Sequence, residues 1–363
     1  MDRRTFVTAA ATGAVAAPLA TPALAQARKE MAIVSTWPRD FPGLGTSAQR
    51  LAGEIEKLTD GGIVVTYYAA GERVGAFDAF DEVASGNAQA YIGADYYWKG
   101  KHPGWAFFAA VPFGLTYPEM DAWIKFAGGQ ELWDELAGEF NLKNFACGNT
   151  GDQAGGWFNK EMESPSDFEG LKMRIPGLGG DVLSKLGASP VSLPGAQIYE
   201  NLVSGSLDAA ERVGPYNDYF MKFYEAARYY YWPGMHEPNT QFALGMNKRW
   251  YESLSGTEKL IVKAACDQEN AMQIAEANAN NGVYLDKLVR EHGVELREMN
   301  DDLFDAMGEA AVEVFEEVRD FDPLAGKIHD SFAKAREEVG GYMAIADVAY
   351  LNKRNRVLGI GGL

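Results

Sequence analysis

The chain has 363 residues, 47% of them hydrophobic and 23% charged, enough apolar mass for two domains with real cores. A formal net charge of −18 repels phosphate backbones and sets nucleic acid aside as a partner. The 12% aromatic content excludes a disordered acidic chain.

The first 25 residues read as an export leader. Arg3 and Arg4 precede a stretch rich in Ala, Thr and Gly, and Ala23-Leu24-Ala25 supplies a small-x-small cleavage site. The weakly apolar stretch behind an RRxF pair fits the twin-arginine route better than the general secretory one. No later run reaches the roughly 18 apolar residues of a membrane span. The expected product is a soluble protein of a bacterial periplasm.

MAIVSTW (31–37) predicts a strand. GTSAQRLAGEIEKLTDG (45–61) places Ala48, Leu51, Ile55 and Leu58 at helical spacing, with Gly61 as a stop. GIVVTYYAAG (62–71) is a β-branched strand, and residues 76–93 read as a helix, a stop at Gly86 and a strand leading to Tyr96, Tyr97 and Trp98. This β-α-β-α-β order predicts an α/β domain with a mostly parallel sheet. FACGNTGDQAGGWFNK (145–160) reads as a strand, a Gly-rich turn and a strand, a crossing suited to a hinge. The β-α-β-α-β cassette then recurs from KMRIPG (172–177) to Gly214. EVASGNAQAYIG (82–93) and NLVSGSLDAAERVG (201–214) share a helix end, Ser-Gly and an alanine entering a strand. Two similar halves predict two lobes facing each other across a cleft.

Residues 253–293 predict one long helix, opened by a Ser255/Glu258 capping box, stopped at Gly293 and carrying Gly282 inside. At roughly 50 Å it exceeds what one lobe needs. VELREM (294–299) reads as a strand. Residues 301–321 carry the apolar stripe Leu303, Met307, Ala311, Val314 and Val318, and a further helix begins at Lys327.

Enzyme chemistry finds no support in the pattern. The four histidines are scattered, Cys147 and Cys266 form no CxxC, and GLGG (177–180) lacks both GxGxxG and the lysine of a phosphate loop. The two cysteines read as separate small buried side chains, with a disulfide as the alternative in an oxidising compartment. Polar groups instead gather at strand ends and turns: Gln153, Arg174, Glu211, Arg212 and Glu237. In GLKMRIPG (170–177), Arg174 offers a planar fork suited to a carboxylate. Glu and Gln side chains with a backbone carbonyl suit a hard cation.

Four stretches between residues 62 and 242 carry a resemblance to a known family: AGERVGAFDAFDEVASGNAQA, GGWFNKEMESPSDFEGLKMRIPG, GGDVLSKLGASPVSLPGAQIYENLVSGSLDAAERVGPYND and YYYWPGMHEPNTQF. With them the chain resembles the solute-binding proteins of tripartite ATP-independent periplasmic (TRAP) transporters. STWPRDFPGLGT (35–46) and YYWKGK (96–101) point to the branch that binds 2-oxo acids such as pyruvate, and its lactate-binding relatives. The resemblance implies an α/β fold of two lobes around a central cleft, with a long lobe-spanning helix and a C-terminal helical extension. Lobe I then spans 28–149 with a returning segment near 237–252, and lobe II spans 150–236. The long helix follows at 253–293, and a strand and dimerisation helices fill 294–363. The resemblance further implies that Arg174 pairs with the carboxylate of a small monocarboxylate. It places Na+ or Ca2+ between that ligand and Gln153, Glu211, the backbone carbonyl of Arg212, and Glu237. Tyr96 and Tyr97 are the matching contacts from lobe I, with Gln153 also near the ligand. The branch often has Trp where this chain has Arg212, a departure that bears on which acid is bound. The implied partners are the membrane permease of the transporter and a second copy of the chain. Two other readings are a periplasmic receptor feeding a sensor and an exported metal-dependent enzyme acting on an acid.

Overall fold

The structure, a computed structural model, describes residues 28–361; the leader, with its twin-arginine pair, lies outside them. In chain order the strands are β1 (Lys29–Ser35), β2 (Ile63–Tyr68), β3 (Ala90–Gly93), β4 (Leu142–Asn149), β5 (Gly156–Phe158), β6 (Lys172–Arg174), β7 (Ser189–Val191), β8 (Ala209–Ala210), β9 (Tyr229–Trp232), β10 (Gln241–Asn247) and β11 (Glu295–Glu298). They form two mixed sheets, ordered β2-β1-β3-β10-β4 and β11-β9-β5-β8-β6-β7.

The recurring cassette of the sequence is a recurring topology. In each sheet the first strand of the cassette, β1 or β6, lies between the second and third and runs parallel to both. In each, an antiparallel strand, β10 or β5, then adds to the third. Helices fill the crossovers because their apolar residues recur on one face. Helix Leu44–Leu58 buries Leu44, Ala48, Leu51, Ala52 and Ile55 against the first sheet. Phe158, Met173 and Val182 join that main core. A second core, with Trp157, Ile198, Leu202, Phe223, Tyr230 and Leu288, lies with the second sheet.

The chain passes between the sheets three times: by two short crossings, from β4 to β5 and from β9 to β10, and through the long helix between β10 and β11. The short crossings run side by side. The Thr240 amide donates to the Thr150 hydroxyl at 2.9 Å, the Gln153 amide to the Glu237 carbonyl at 3.1 Å, and the Gly155 amide to the Tyr231 carbonyl at 2.8 Å. Helix Gly256–His292 spans both halves, packing on β4 and helix Leu44–Leu58 in the first and on helix Pro215–Met221 in the second. The Ser255 hydroxyl and Glu258 carboxylate cap its start as the capping box predicts, and Gly293 ends it in the left-handed region at φ 66°. Gly282 does not interrupt it.

Helix Asp301–Arg319 buries its predicted stripe, and helix Pro323–Ala335 buries Ile328 and Phe332. The chain stays helical to Leu358, exposing Tyr342, Ile345, Val348, Tyr350 and Val357. Cys147 and Cys266 are both buried and unpaired. No helix of the described residues is long and apolar enough to cross a membrane.

The first sheet is mostly parallel, as the sequence predicts, with the returning segment supplying β10 as its one antiparallel strand, between β3 and β4. One local feature differs from the sequence reading. Tyr96, Tyr97 and Trp98 do not end a strand. They lie in a tight helical turn, Asp95–Trp98, that turns the Asp95 carboxylate inward to accept from Tyr91, Trp133 and Asn144.

Candidate functional site

Arg174 closes the short strand β6, in register with Val191 of β7 and Ala210 of β8. Lys172, two residues earlier on the same face, is exposed, whereas Arg174 is 0% exposed. Its Nε donates to the Leu193 carbonyl at 3.1 Å and its Nη1 to the Glu211 carbonyl at 3.1 Å and to the Glu211 carboxylate. Nη2 is buried with no acceptor. Such a guanidinium is no solvated surface charge: three of its donors are fixed and its outer nitrogen remains to be satisfied.

Glu211 follows β8, so the strand that pairs with Arg174 also delivers the arginine's counter-charge. Its second oxygen meets His236 Nε2 at 3.2 Å. Glu237 comes from the β9–β10 crossing and Gln153 from the β4–β5 crossing, and the ladder between the crossings brings them together. Gln153 Nε2 donates to Glu237 Oε2 at 2.7 Å, to Thr240 Oγ1 at 2.8 Å and to Thr150 Oγ1 at 3.1 Å. The Thr240 hydroxyl donates to the same Glu237 oxygen. Gln153 Oε1 is buried with no donor. Ligand atoms of Glu211, His236 and Glu237 all lie within 4.8 Å of one another, and all three residues are buried.

The charges are set by this crowding. Burial pushes the Glu211 carboxyl up, but Arg174 and then His236 outweigh it and hold the group below the ordinary carboxylate range. Glu237 lacks such a partner; burial and the Glu211 charge push it up to about 7. For His236, burial works against the charged form, but the bond to Glu211 and the nearby acids leave its pKa raised. The cluster offers two carboxylates, which are hard oxygen donors, and one imidazole. It fits a hard cation such as Na+ or Ca2+.

The first half closes over this cluster. The Tyr96 hydroxyl reaches Glu237 Oε2 at 3.5 Å. Its ring covers Gly177, whose φ of 64° favours glycine and whose added Cβ would stand 3.4 Å from the ring. Tyr97, half-buried, sets its ring against Phe77, tilted by 33° with the centroids 4.6 Å apart. At the rim, Lys99 and Asp181 pair at 2.5 Å across the two halves. Of the predicted residues, Gln153, Arg174, Glu211, Glu237 and Tyr96 thus converge. The Arg212 side chain does not join them: its guanidinium lies against Gly195. His236, Thr150 and Thr240 escaped the sequence reading, although His236 sits beside Glu237 in MHEPN.

Comparison with known proteins agrees with this geometry. Residues 33–320 match the family described as bacterial extracellular solute-binding protein, family 7. The chain is 34% identical over 320 residues to a monocarboxylate 2-oxoacid-binding periplasmic protein of Nostoc sp., covering 88% of this chain and 87% of the relative. A TRAP periplasmic solute-binding protein from Pseudoalteromonas atlantica, with bound sodium and pyruvate, superposes with a TM-score of 0.87. It shares 36% identity over 90% of this chain and 99% of its own. One from Bordetella bronchiseptica, a mixed-occupancy dimer with copurified calcium and picolinate, gives a TM-score of 0.89. There the identity is 31% over 92% of this chain and 98% of that one. With two lobes, a polar cluster where they meet, and a family match across most of its length, the chain belongs to the family 7 extracellular solute-binding proteins, the solute receptors of TRAP transporters.

Proposed function

We propose that this receptor captures a small 2-oxo acid of the pyruvate type, with 2-hydroxy acids such as lactate as its nearest alternative. The observation that carries this reading is the buried Arg174 Nη2, which lacks an acceptor beside the Glu211–His236–Glu237 cluster. Arg174 holds the ligand carboxylate. Gln153 Oε1, the Glu211 and Glu237 carboxylates and the Arg212 carbonyl hold the cation. A Na+ or Ca2+ there supplies the positive charge that reconciles two buried acids with an anionic ligand. Tyr96 and Tyr97 cover the ligand from the opposite lobe. Sodium with pyruvate in the P. atlantica relative and calcium in the B. bronchiseptica relative support this reading.

The lobes are residues 28–149 with 237–252, and 150–236. Ligand contacts made from both lobes favour the closed state, since only differential affinity shifts a conformational equilibrium. The solute is released unchanged to the membrane permease, in the periplasm reached through the twin-arginine leader. The exposed apolar residues of the C-terminal helix pair two copies, as the dimer of the B. bronchiseptica relative suggests.

The test is a titration of chelator-treated protein with pyruvate and lactate, in Na+, in Ca2+ and in neither. Binding that requires one of the cations is expected. Equal binding without a cation would remove the bridge, and no binding of either acid would overturn the assignment.

A further inference from the structure

Two threonines flank the cluster, one on each short crossing: Thr150 three residues before Gln153, and Thr240 three residues after Glu237. Both are buried, and so are Gln153 and Glu237. Neither hydroxyl is free to choose its role. The Thr150 hydroxyl donates to the Gly151 carbonyl at 2.8 Å and accepts from the Thr240 amide at 2.9 Å. The Thr240 hydroxyl donates to Glu237 Oε2. Each hydroxyl has one proton, and each proton is already committed, so towards Gln153 both oxygens can only accept.

Gln153 therefore meets three acceptors: Glu237 Oε2 at 2.7 Å, Thr240 Oγ1 at 2.8 Å and Thr150 Oγ1 at 3.1 Å. Its amide nitrogen faces all three. An amide turned by half a rotation would set Oε1 against acceptors with no proton among them, and buried groups left unmatched lose their hydration without return. The threonines thus fix which end of the amide faces them. The end left over is Oε1, buried with no donor. Glu237 is divided in the same way. Its bonds from Gln153, Thr240 and Tyr96 all end on Oε2, and among the described residues Oε1 accepts none.

We infer that Thr150 and Thr240 are positioning residues for the cation: they hold Gln153 and Glu237 by one polar atom each and leave the Oε1 of both for the ion. The inference rests on the cation-bridged reading above and specifies what orients two of the ligands. The hydroxyls act through those two side chains and not as ligands. A buried carbonyl oxygen without a donor calls for a positive partner, and a hard cation is one. Groups that orient a metal ligand are commonly worth roughly 10- to 100-fold in metal affinity.

Calorimetric titration of the full mature protein with pyruvate, over series of Na+ and of Ca2+ concentrations, tests it. Thr240→Val keeps the shape of the side chain and removes the hydroxyl. It should raise the cation concentration needed for half-maximal binding by roughly 10- to 100-fold, while Thr240→Ser stays within about threefold of the wild type. In a Gln153→Ala background Thr240→Val should add only a fraction of that change, because the amide it orients is gone. A merely structural loss would add in full in both backgrounds and would overturn the inference. So would Thr240→Ser as harmful as Thr240→Val. The wild type supplies a check that needs no folded threonine variant. Without cation, the Gln153 side-chain amide protons, assigned by their absence in Gln153→Ala, should exchange at least about tenfold slower than those of exposed glutamines. Exchange as fast as at the exposed sites overturns the inference. Pyruvate binding that needs no cation overturns the bridge itself and this inference with it. Binding that stays cation-dependent but indifferent to Thr240→Val overturns this inference alone.

Discussion

Arg174 and Glu211 define each other's place: a central strand ends in the cation and its neighbour ends in the anion. Removing the cation strands a buried carboxylate and deletes the ligand's fork. Arg174→Ala should therefore weaken acid binding by on the order of 100-fold or more, read by calorimetry. Asp95 gives a prediction away from the ligand. Burial pushes its carboxyl up to about 7 from an ordinary 3.8, against the pull of Tyr91, Trp133 and Asn144. Between those values the unfolded chain releases this proton while the folded chain keeps it. Stability from this group is thus fully present below the lower value and lost as pH rises to the upper. Relative to Asp95→Asn, the wild type should lose on the order of 2–4 kcal/mol of unfolding free energy across that window, measured by urea titration. A flat difference would mean that the three donors hold the ionised form. At this scale the sequence marked Arg174, Gln153, Glu211 and Glu237 as polar residues at strand ends and turns, and only the family resemblance gathered them into one site. His236 did not stand out. Its meaning depends on Glu211, 25 residues away, and no local spacing encodes that pairing.

The crossings are the elements on which the site depends, since they carry Gln153, His236 and Glu237 between the sheets. The first was legible as a Gly-rich turn between strands. The strand character of β10 and its antiparallel insertion were not, because they rest on pairings such as Thr150 with Thr240, 90 residues apart. The helical turn Asp95–Trp98 was hidden likewise, its cause being a buried carboxylate answered by distant donors. Closure has its own element-scale test. Lys99 follows β3, Asp181 lies on the helix Gly177–Lys185, and their ion pair bridges the rim while each remains about a third exposed or more. Such a pair is worth about 0–1 kcal/mol. Lys99→Met should speed ligand release by up to about fivefold and flatten its salt dependence, in stopped-flow displacement. The exchange Lys99→Asp with Asp181→Lys should restore both. An unchanged release rate would show that the pair does not hold the lobes closed.

The molecule as a whole repeats one topology twice and joins the copies by two crossings and one long helix. The repeat was visible in sequence as two Ser-Gly helix ends entering strands. The order of strands was not, since sheet order is decided by packing and not by spacing. Tyr342, Ile345, Val348 and Tyr350 remain exposed on the final helix, a length of apolar surface that a second copy would cover. Ending the chain after Gly340 should convert a dimer to a monomer in light scattering, with acid affinity unchanged within about twofold because the site lies in the lobes. A full-length monomer, or a truncated dimer, would place the interface elsewhere. The most direct test of the central claim is calorimetric titration of wild type and Arg174→Ala with pyruvate in sodium buffer. Saturable one-to-one binding by the wild type, lost in the variant while its melting curve stays cooperative, is the predicted result. Equal binding by both proteins would contradict the arginine clamp at the centre of this account.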